Sequence, residues 1–270
     1  MKQRRVALLG FGTMGRAIAQ GALESGALSS AHFAATVRTD ERAQRLSDEL
    51  GCAVSTDNPA AVREAEIVLL CVKPHRLQEL LEELAAAGAL EHRPLLVSIA
   101  AGVTNAQLEA WAGAGARVVR AMPNTPCRIG EGMTVLSAGS GVEQPDLDDI
   151  EELFRPLGRT LRLDEEYMNA VTGLSASGPA FVYVIIEALA EGGVMTGLPR
   201  KVATELAAQC VQGAARMVLQ TGAHPAELKD QVTTPAGCTI SALLALEDGR
   251  LRSVLARGVQ EAARTAAGLG

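Results

Sequence analysis

Residues 6–20 read VALLGFGTMGRAIAQ. Val6 to Leu9 form an unbroken apolar run of strand length, and from Met14 the apolar residues recur at helical spacing. Between them stand Gly10, Gly12 and Gly15, a G-x-G-x-x-G run with Phe11, Thr13 and Met14 as its variable positions. Strand, glycine turn and helix in that order is the context a dinucleotide fingerprint needs. Gly10 allows the tight turn, Gly12 lets the backbone approach a pyrophosphate, and Gly15 lets helix and strand pack closely. The helix start adds unpaired N–H groups and a partial positive charge. A glycine-rich turn without a ligand is the plain alternative, and the strand before and helix after weigh against it.

Outward from this turn the alternation repeats. HFAATV (His32–Val37), EIVLLCV (Glu66–Val72), PLLVSIA (Pro94–Ala100), RVVRAM and MTVLSAG are apolar runs of strand length, with helical patterns such as DERAQRLSDELG between them. Such a series predicts a parallel sheet covered on both faces. After Leu163 strand patterns stop and only helical ones follow. The predicted class is α/β: a Rossmann-type parallel-sheet domain over residues 1–163, then an all-α domain over residues 164–270. In the second, Pro179 to Ala190 is apolar nearly all round, with Phe181, Val182, Tyr183, Val184, Ile185, Ile186 and Leu189. A helix of that kind must be buried on every side. A helical domain of about 100 residues has difficulty covering it alone, so a second subunit is the expected cover. Its strongly apolar core, Phe181–Ile186, stops at Glu187 and is expected to be too short to span a bilayer.

Composition excludes several classes. The 270 residues are 48% hydrophobic and 21% charged, which describes a globular chain. A formal net charge of −6 and the lack of any Lys/Arg run give no reason to expect nucleic acid. Cys52, Cys71, Cys127, Cys210 and Cys238 are odd in number, widely spaced and without a C-x-x-C, and the four histidines are scattered. No disulfide framework or metal site is expected, and the cytoplasm is the expected compartment. Lys2, Arg4 and Arg5 lead directly into a strand pattern, which is not the form of a secretory leader.

The second strand ends at Val37-Arg38-Thr39-Asp40. An NAD site wants an acid at that strand end. Arg38 and Thr39 stand there instead, suited to pairing with and hydrogen-bonding a 2′-phosphate, while Asp40 reads as the N-cap of the next helix. NADPH is therefore the expected cofactor, with NADH as a second choice. Far along the chain, DQVTTPAGCTISALLALEDG (Asp230–Gly249) sets threonines, a proline and a glycine at the mouth of another helix. Small residues admit a ligand to the backbone, and Thr233, Thr234 and Thr239 add hydroxyls, an arrangement suited to a small carboxylate. An ordinary capped turn uses the same residues.

Six further motifs occur in order: VKPH (Val72–His75), RAMPNTP (Arg120–Pro126), GEGMT (Gly130–Thr134), GLSASGPAF (Gly173–Phe181), GLPRKVATELAAQ (Gly197–Gln209) and HPAELKDQVTTPAGCTI (His224–Ile240). With the fingerprint they resemble the pyrroline-5-carboxylate reductases over nearly the whole chain. The resemblance implies a dinucleotide domain, a helical domain that dimerises, further assembly of dimers left open, and reduction of 1-pyrroline-5-carboxylate to L-proline by NADPH or NADH. It places the pyrophosphate loop on Leu9, Gly10, Phe11, Gly12, Thr13 and Met14. Asn58 then falls beside the adenosine half, and Cys71, Val72, Lys73 and Pro74 beside the nicotinamide half. The substrate loop falls on Thr234 to Thr239, with Gly237 and Cys238 at the carboxylate and the Thr239 hydroxyl at the ring nitrogen; Glu165 is assigned to the substrate and Gln231 to the cofactor. Lys73 also reads as a solvated strand-end lysine, and Cys238 as small packing. The chain departs from the family pattern at Ala236, Ala176 and Phe181; an alanine at 236 is costly if that residue needs positive φ.

Two other readings compete. A β-hydroxyacid dehydrogenase also opens with such a turn and ends in helices, but it needs a lysine that GLSASGPAFVYVIIEA lacks. A non-enzymatic NADP-sensing regulator has no use for the hydroxyl-lined loop.

Overall fold

A computed structural model describes residues 3–269. Two compact units emerge: residues up to Ser177 together with the stretch from Gln260, and Gly178–Val259.

The first unit is built on eight strands in the order β3-β2-β1-β4-β5-β6-β7-β8. Along the chain run β1 (Val6–Leu9), α1 (Thr13–Glu24), β2 (Phe33–Thr36), α2 (Asp40–Leu50), β3 (Ala53–Ser55), α3 (Asn58–Val62) and β4 (Ile67–Leu70). Then come α4 (Leu77–Ala86), β5 (Leu95–Ser98), α5 (Asn105–Ala112), β6 (Arg117–Met122), β7 (Gly132–Ala138), α6 (Gln144–Phe154) and β8 (Gly158–Arg162). Strands β1, β4 and β5 are buried at every residue, as a sheet covered on both faces requires. One face packs Leu8, Ile18, Phe33, Leu69 and Phe154; the other packs Leu9, Leu70, Leu81, Leu96 and Leu108. The order reverses beside β1: β2 pairs with one of its edges and β4 with the other, both in parallel. That reversal opens the crevice in which such sheets bind ligands.

The sheet is not wholly parallel, contrary to expectation. β7 runs antiparallel to β6, and β8 runs parallel to β7. Residues 123–131 join β6 to β7, shorter than the dozen or so that a parallel crossover needs. Past β8 the chain turns through α7 (Met168–Val171) and a π-turn, Thr172–Ala176, before Gly178.

The second unit is helical: α8 (Gly178–Met195), α9 (Arg200–Thr221), α10 (Pro225–Gln231), α11 (Cys238–Asp248) and most of α12 (Leu251–Ala266). α8 and α9 meet through small side chains, Ala190, Ala203 and Ala207, flanked by Ile186 and Val194. Little else in α8 is covered. Tyr183 and Val184 are 61% and 64% exposed, and Ala190 is the helix's one buried residue. The expectation of a short apolar core needs correction. The stretch Glu165–Met195, 31 residues of successive helical pieces, is by length and composition only long and apolar enough to cross a membrane, its most apolar 18 residues averaging a hydropathy of 1.5. Glu187 does not interrupt it, because one carboxylate on an exposed face leaves the helical hydrogen bonds intact.

Candidate functional site

The turn after β1 has the shape its glycines dictate. Gly10 sits at φ +93°, and a Cβ there would stand 2.8 Å from Val72 Cγ1 and 2.9 Å from the Cys71 carbonyl group. At Gly15 a Cβ would stand 2.6 Å from the Gly10 carbonyl oxygen, so α1 lies against the turn at a distance only glycine permits. Gly12 differs: apart from its own chain neighbours, no atom of the described residues lies within 4 Å of where its Cβ would be. It caps α1 without a side-chain hydrogen bond, and the first turn of α1 holds no acid. Open space, free N–H groups and a helix dipole fit the diphosphate of a dinucleotide. Leu9 leads into this turn from β1, Thr13 and Met14 follow in α1, and Phe11 is buried beneath it. The Arg42 guanidinium donates to the Phe11 carbonyl at 2.5 Å and braces the turn from α2. Sequence reasoning passed over Arg42, since one helical arginine carries no signal of its own.

Arg38 and Thr39 follow β2 and are both exposed, and no side-chain hydrogen bond or ion pair occupies either among the described residues. The cap assignment is corrected. Thr39, not Asp40, is the N-cap of α2, and the Asp40 carboxylate accepts from the Thr56 hydroxyl at 2.9 Å. Asp40 and Glu41 lie inside the first turn, where the helix dipole favours negative charge. Asn58 opens α3 and accepts a hydrogen bond from the Thr36 hydroxyl at 2.7 Å. Beyond β4, the Cys71 N–H donates to the Leu9 carbonyl at 2.8 Å. Burial pushes the Cys71 thiol up to about 12. Val72 touches the space at Gly10, Lys73 is exposed, and Pro74 opens a short 3₁₀ turn.

Glu165 lies in the same unit and is firmly held. One carboxylate oxygen accepts from the Asn105 N–H at 2.6 Å and from Arg120 at 2.8 Å. Arg120 is 3% exposed on β6, and its Nε and Nη2 have no hydrogen-bond partner among the described residues. The arginine inside RVVRAM was a legible signal, because a charge within a buried strand pattern needs a counter-ion.

The remaining residues belong to the second unit. Gln231 ends α10, exposed. Gly237 N–H donates to the Thr234 carbonyl at 3.0 Å, closing a turn over Pro235 and Ala236. Ala236 holds φ +58°, the conformation for which such turns prefer glycine. A Cβ at Gly237 would stand 2.4 Å from Thr234 Oγ1. Gly237 caps α11 without a side chain, the first turn holds no acid, and Cys238 and Thr239 are its first two residues. The half-buried Thr239 hydroxyl makes no hydrogen bond among the described residues. This helix mouth can take a small anion on backbone N–H groups with a hydroxyl beside it.

Sheet order, glycine turn and open helix start define a protein of the dinucleotide-binding fold class. Residues 5–102 match the family described as NADP oxidoreductase, coenzyme F420-dependent, and residues 165–269 match pyrroline-5-carboxylate reductase dimerisation. A pyrroline-5-carboxylate reductase of Glycine max is 42% identical over 95% of this chain and 92% of its own. The solved pyrroline-5-carboxylate reductase of Coxiella burnetii superposes with TM-score 0.92 at 33% identity, covering 100% and 99% of the two chains. The Plasmodium falciparum pyrroline carboxylate reductase, solved with NADP bound, gives 0.89 at 27% identity and the same coverage. The chain belongs to the pyrroline-5-carboxylate reductase family. The hydroxyacid-dehydrogenase and regulator readings are not favoured. The dimerisation match spans the residues of the uncovered apolar helix and supports self-association of the chain.

Proposed function

We infer that this chain reduces 1-pyrroline-5-carboxylate to L-proline, with NADPH preferred to NADH. The carrying observation is that the likeness runs through both halves, at 42% identity over 95% of the chain. When bound, the reduced nicotinamide supplies a hydride to the imine carbon, and the ring nitrogen ends as an amine.

The chain's own residues bind and orient. The N–H groups that open α1 receive the diphosphate, Asn58 meets the adenosine half, and Arg38 with Thr39 receives the 2′-phosphate. Cys71 to Pro74 line the nicotinamide side, with the thiol of Cys71 kept protonated by its burial. N–H groups around Gly237 and Cys238 hold the substrate carboxylate, and the Thr239 hydroxyl hydrogen-bonds the ring nitrogen. A threonine hydroxyl is a poor proton source at neutral pH. The imine therefore arrives protonated or takes its proton from water, and Thr239 orients it. In the first unit Glu165 is assigned to the substrate, and in the second Gln231 is assigned to the cofactor.

With all five cysteines free, a reducing cytoplasm suits the protein. Its partners are the imine, L-proline and further copies of itself, as a dimer or an assembly of dimers; neither nucleic acid nor membrane is assigned. NADPH oxidation is measured with 1-pyrroline-5-carboxylate and with a panel of hydroxy and keto acids. Turnover of the imine alone is expected, and turnover of a hydroxy or keto acid without the imine overturns the reading. Light scattering in detergent-free buffer is expected to show at least a dimer at micromolar concentration; an active monomer overturns the assembly.

A further inference from the structure

Thr36 is the last residue of β2, and its side chain is 2% exposed. A buried hydroxyl must find a partner, and this one donates to Asn58 Oδ1 at 2.7 Å. Its backbone is used as well, because the Thr36 carbonyl accepts from the Gly10 N–H at 3.4 Å. One residue thus joins the glycine turn, the end of β2 and the start of α3. The start of α3 is fixed independently: the Asp57 side chain accepts from the Ala60 N–H at 2.9 Å.

The direction of the hydrogen bond decides what Asn58 can offer. A carboxamide has an acceptor end and a donor end. Thr36 takes the acceptor of the half-buried Asn58, and no hydrogen bond occupies the Nδ2 donors among the described residues. We propose that Thr36 is a positioning residue for cofactor binding: it turns Asn58 so that the amide offers its N–H donors to an oxygen of the adenosine half. The ligand chemistry is that of an acceptor, a ribose or phosphate oxygen, shared by NADPH and NADH. This inference rests on the dinucleotide reading of the same crevice.

The test uses the full chain. ADP-ribose, which carries the adenosine half without nicotinamide, is titrated by calorimetry, and KM is measured for NADPH and NADH. Thr36→Val keeps the volume and removes the donor. ADP-ribose affinity is expected to weaken roughly two- to tenfold, the worth of one neutral hydrogen bond. Both KM values rise together while kcat and the KM of the imine hold. Thr36→Ser restores the hydroxyl but leaves a methyl-sized gap. It is expected to bind ADP-ribose as the wild type does despite a lower Tm, a split that a purely structural threonine would not give. Asn58→Asp keeps the acceptor for Thr36 and replaces the donors with a charge, so ADP-ribose binding is expected to fall further. Wild-type affinity in Thr36→Val or in Asn58→Asp overturns the proposal, as does a Thr36→Ser variant as weak as Thr36→Val. A protein that binds ADP-ribose in this pattern but reduces no imine leaves Thr36 in place and removes the assigned reaction instead.

Discussion

Helices α1 and α11 begin alike: each is capped by a glycine without side-chain help, and neither carries an acid in its first turn. The turns before them are made by different means. Before α1 the shape comes from missing atoms, since a Cβ at Gly10 or Gly15 would strike the neighbouring backbone. Before α11 one missing Cβ, at Gly237, is joined by added atoms: the Pro235 ring, an alanine held at φ +58°, and hydroxyls at Thr234 and Thr239. α1 buries Ile18, Ala19 and Ala22 in its own unit, whereas α11 has no buried residue. A backbone-only site suits a diphosphate that every dinucleotide carries. A site with hydroxyls suits a ring whose nitrogen changes its hydrogen-bonding character during reaction.

The contrast breaks most sharply at the first turn. Gly10→Ala is expected to cost about 3 kcal/mol, from strain and collision together, with Tm falling and dinucleotide binding lost. Gly12→Ala has room and is expected to keep its Tm while NADPH affinity falls at least about tenfold, because the methyl occupies ligand space. Calorimetry beside thermal unfolding separates the two. If Gly12→Ala binds NADPH normally, the open face of α1 is not the diphosphate site.

At the second turn, Thr239→Val is expected to lower kcat/KM for the imine about ten- to a hundredfold, the worth of a hydrogen bond to a charged group. NADPH affinity stays unchanged. A helix-capping role would instead cost about 1 kcal/mol of stability at full activity, so the same protein is assayed and melted. Arg38→Ala is expected to raise KM for NADPH about tenfold and leave NADH nearly untouched, since only the 2′-phosphate contact is lost. An equal effect on both cofactors removes Arg38 from that contact. The smallest change is a gain: Ala236→Gly relieves a left-handed alanine and is expected to stabilise the protein by about 1 kcal/mol, read as a higher Tm. An unchanged Tm would mean that the turn carries no strain.

Strong local signals made much of this legible. Three glycines at that spacing, between a strand and a helix, meet a narrow steric need, and the elements described after β8 are all helical, in keeping with the helical patterns of that part of the sequence. Weak elements escaped. β3 is three residues long and mostly exposed, and β8, GRTLR at the sheet edge, holds two arginines and a threonine around a single leucine, so neither shows the apolar run of a central strand. The direction of β7 depends on the length of the connection before it, which composition does not reveal. The need for positive φ at Ala236 was anticipated as a condition and is met. Hydrogen-bond partners across the fold, Thr36 with Asn58 and Arg120 with Glu165, lie 22 and 45 residues apart in sequence. Nothing local in either segment reports the other.

The uncovered face of α8 has a consequence for how stability is to be measured. A self-associating protomer whose most apolar helix is covered by its partner draws part of its folding free energy from association, and no single unfolding value then belongs to the chain. Each tenfold dilution removes about 1.4 kcal/mol from the association term. Melting curves should therefore shift with protein concentration, and a newly made chain faces the same arithmetic: until it meets a copy of itself, it is the less stable species and the one open to aggregation.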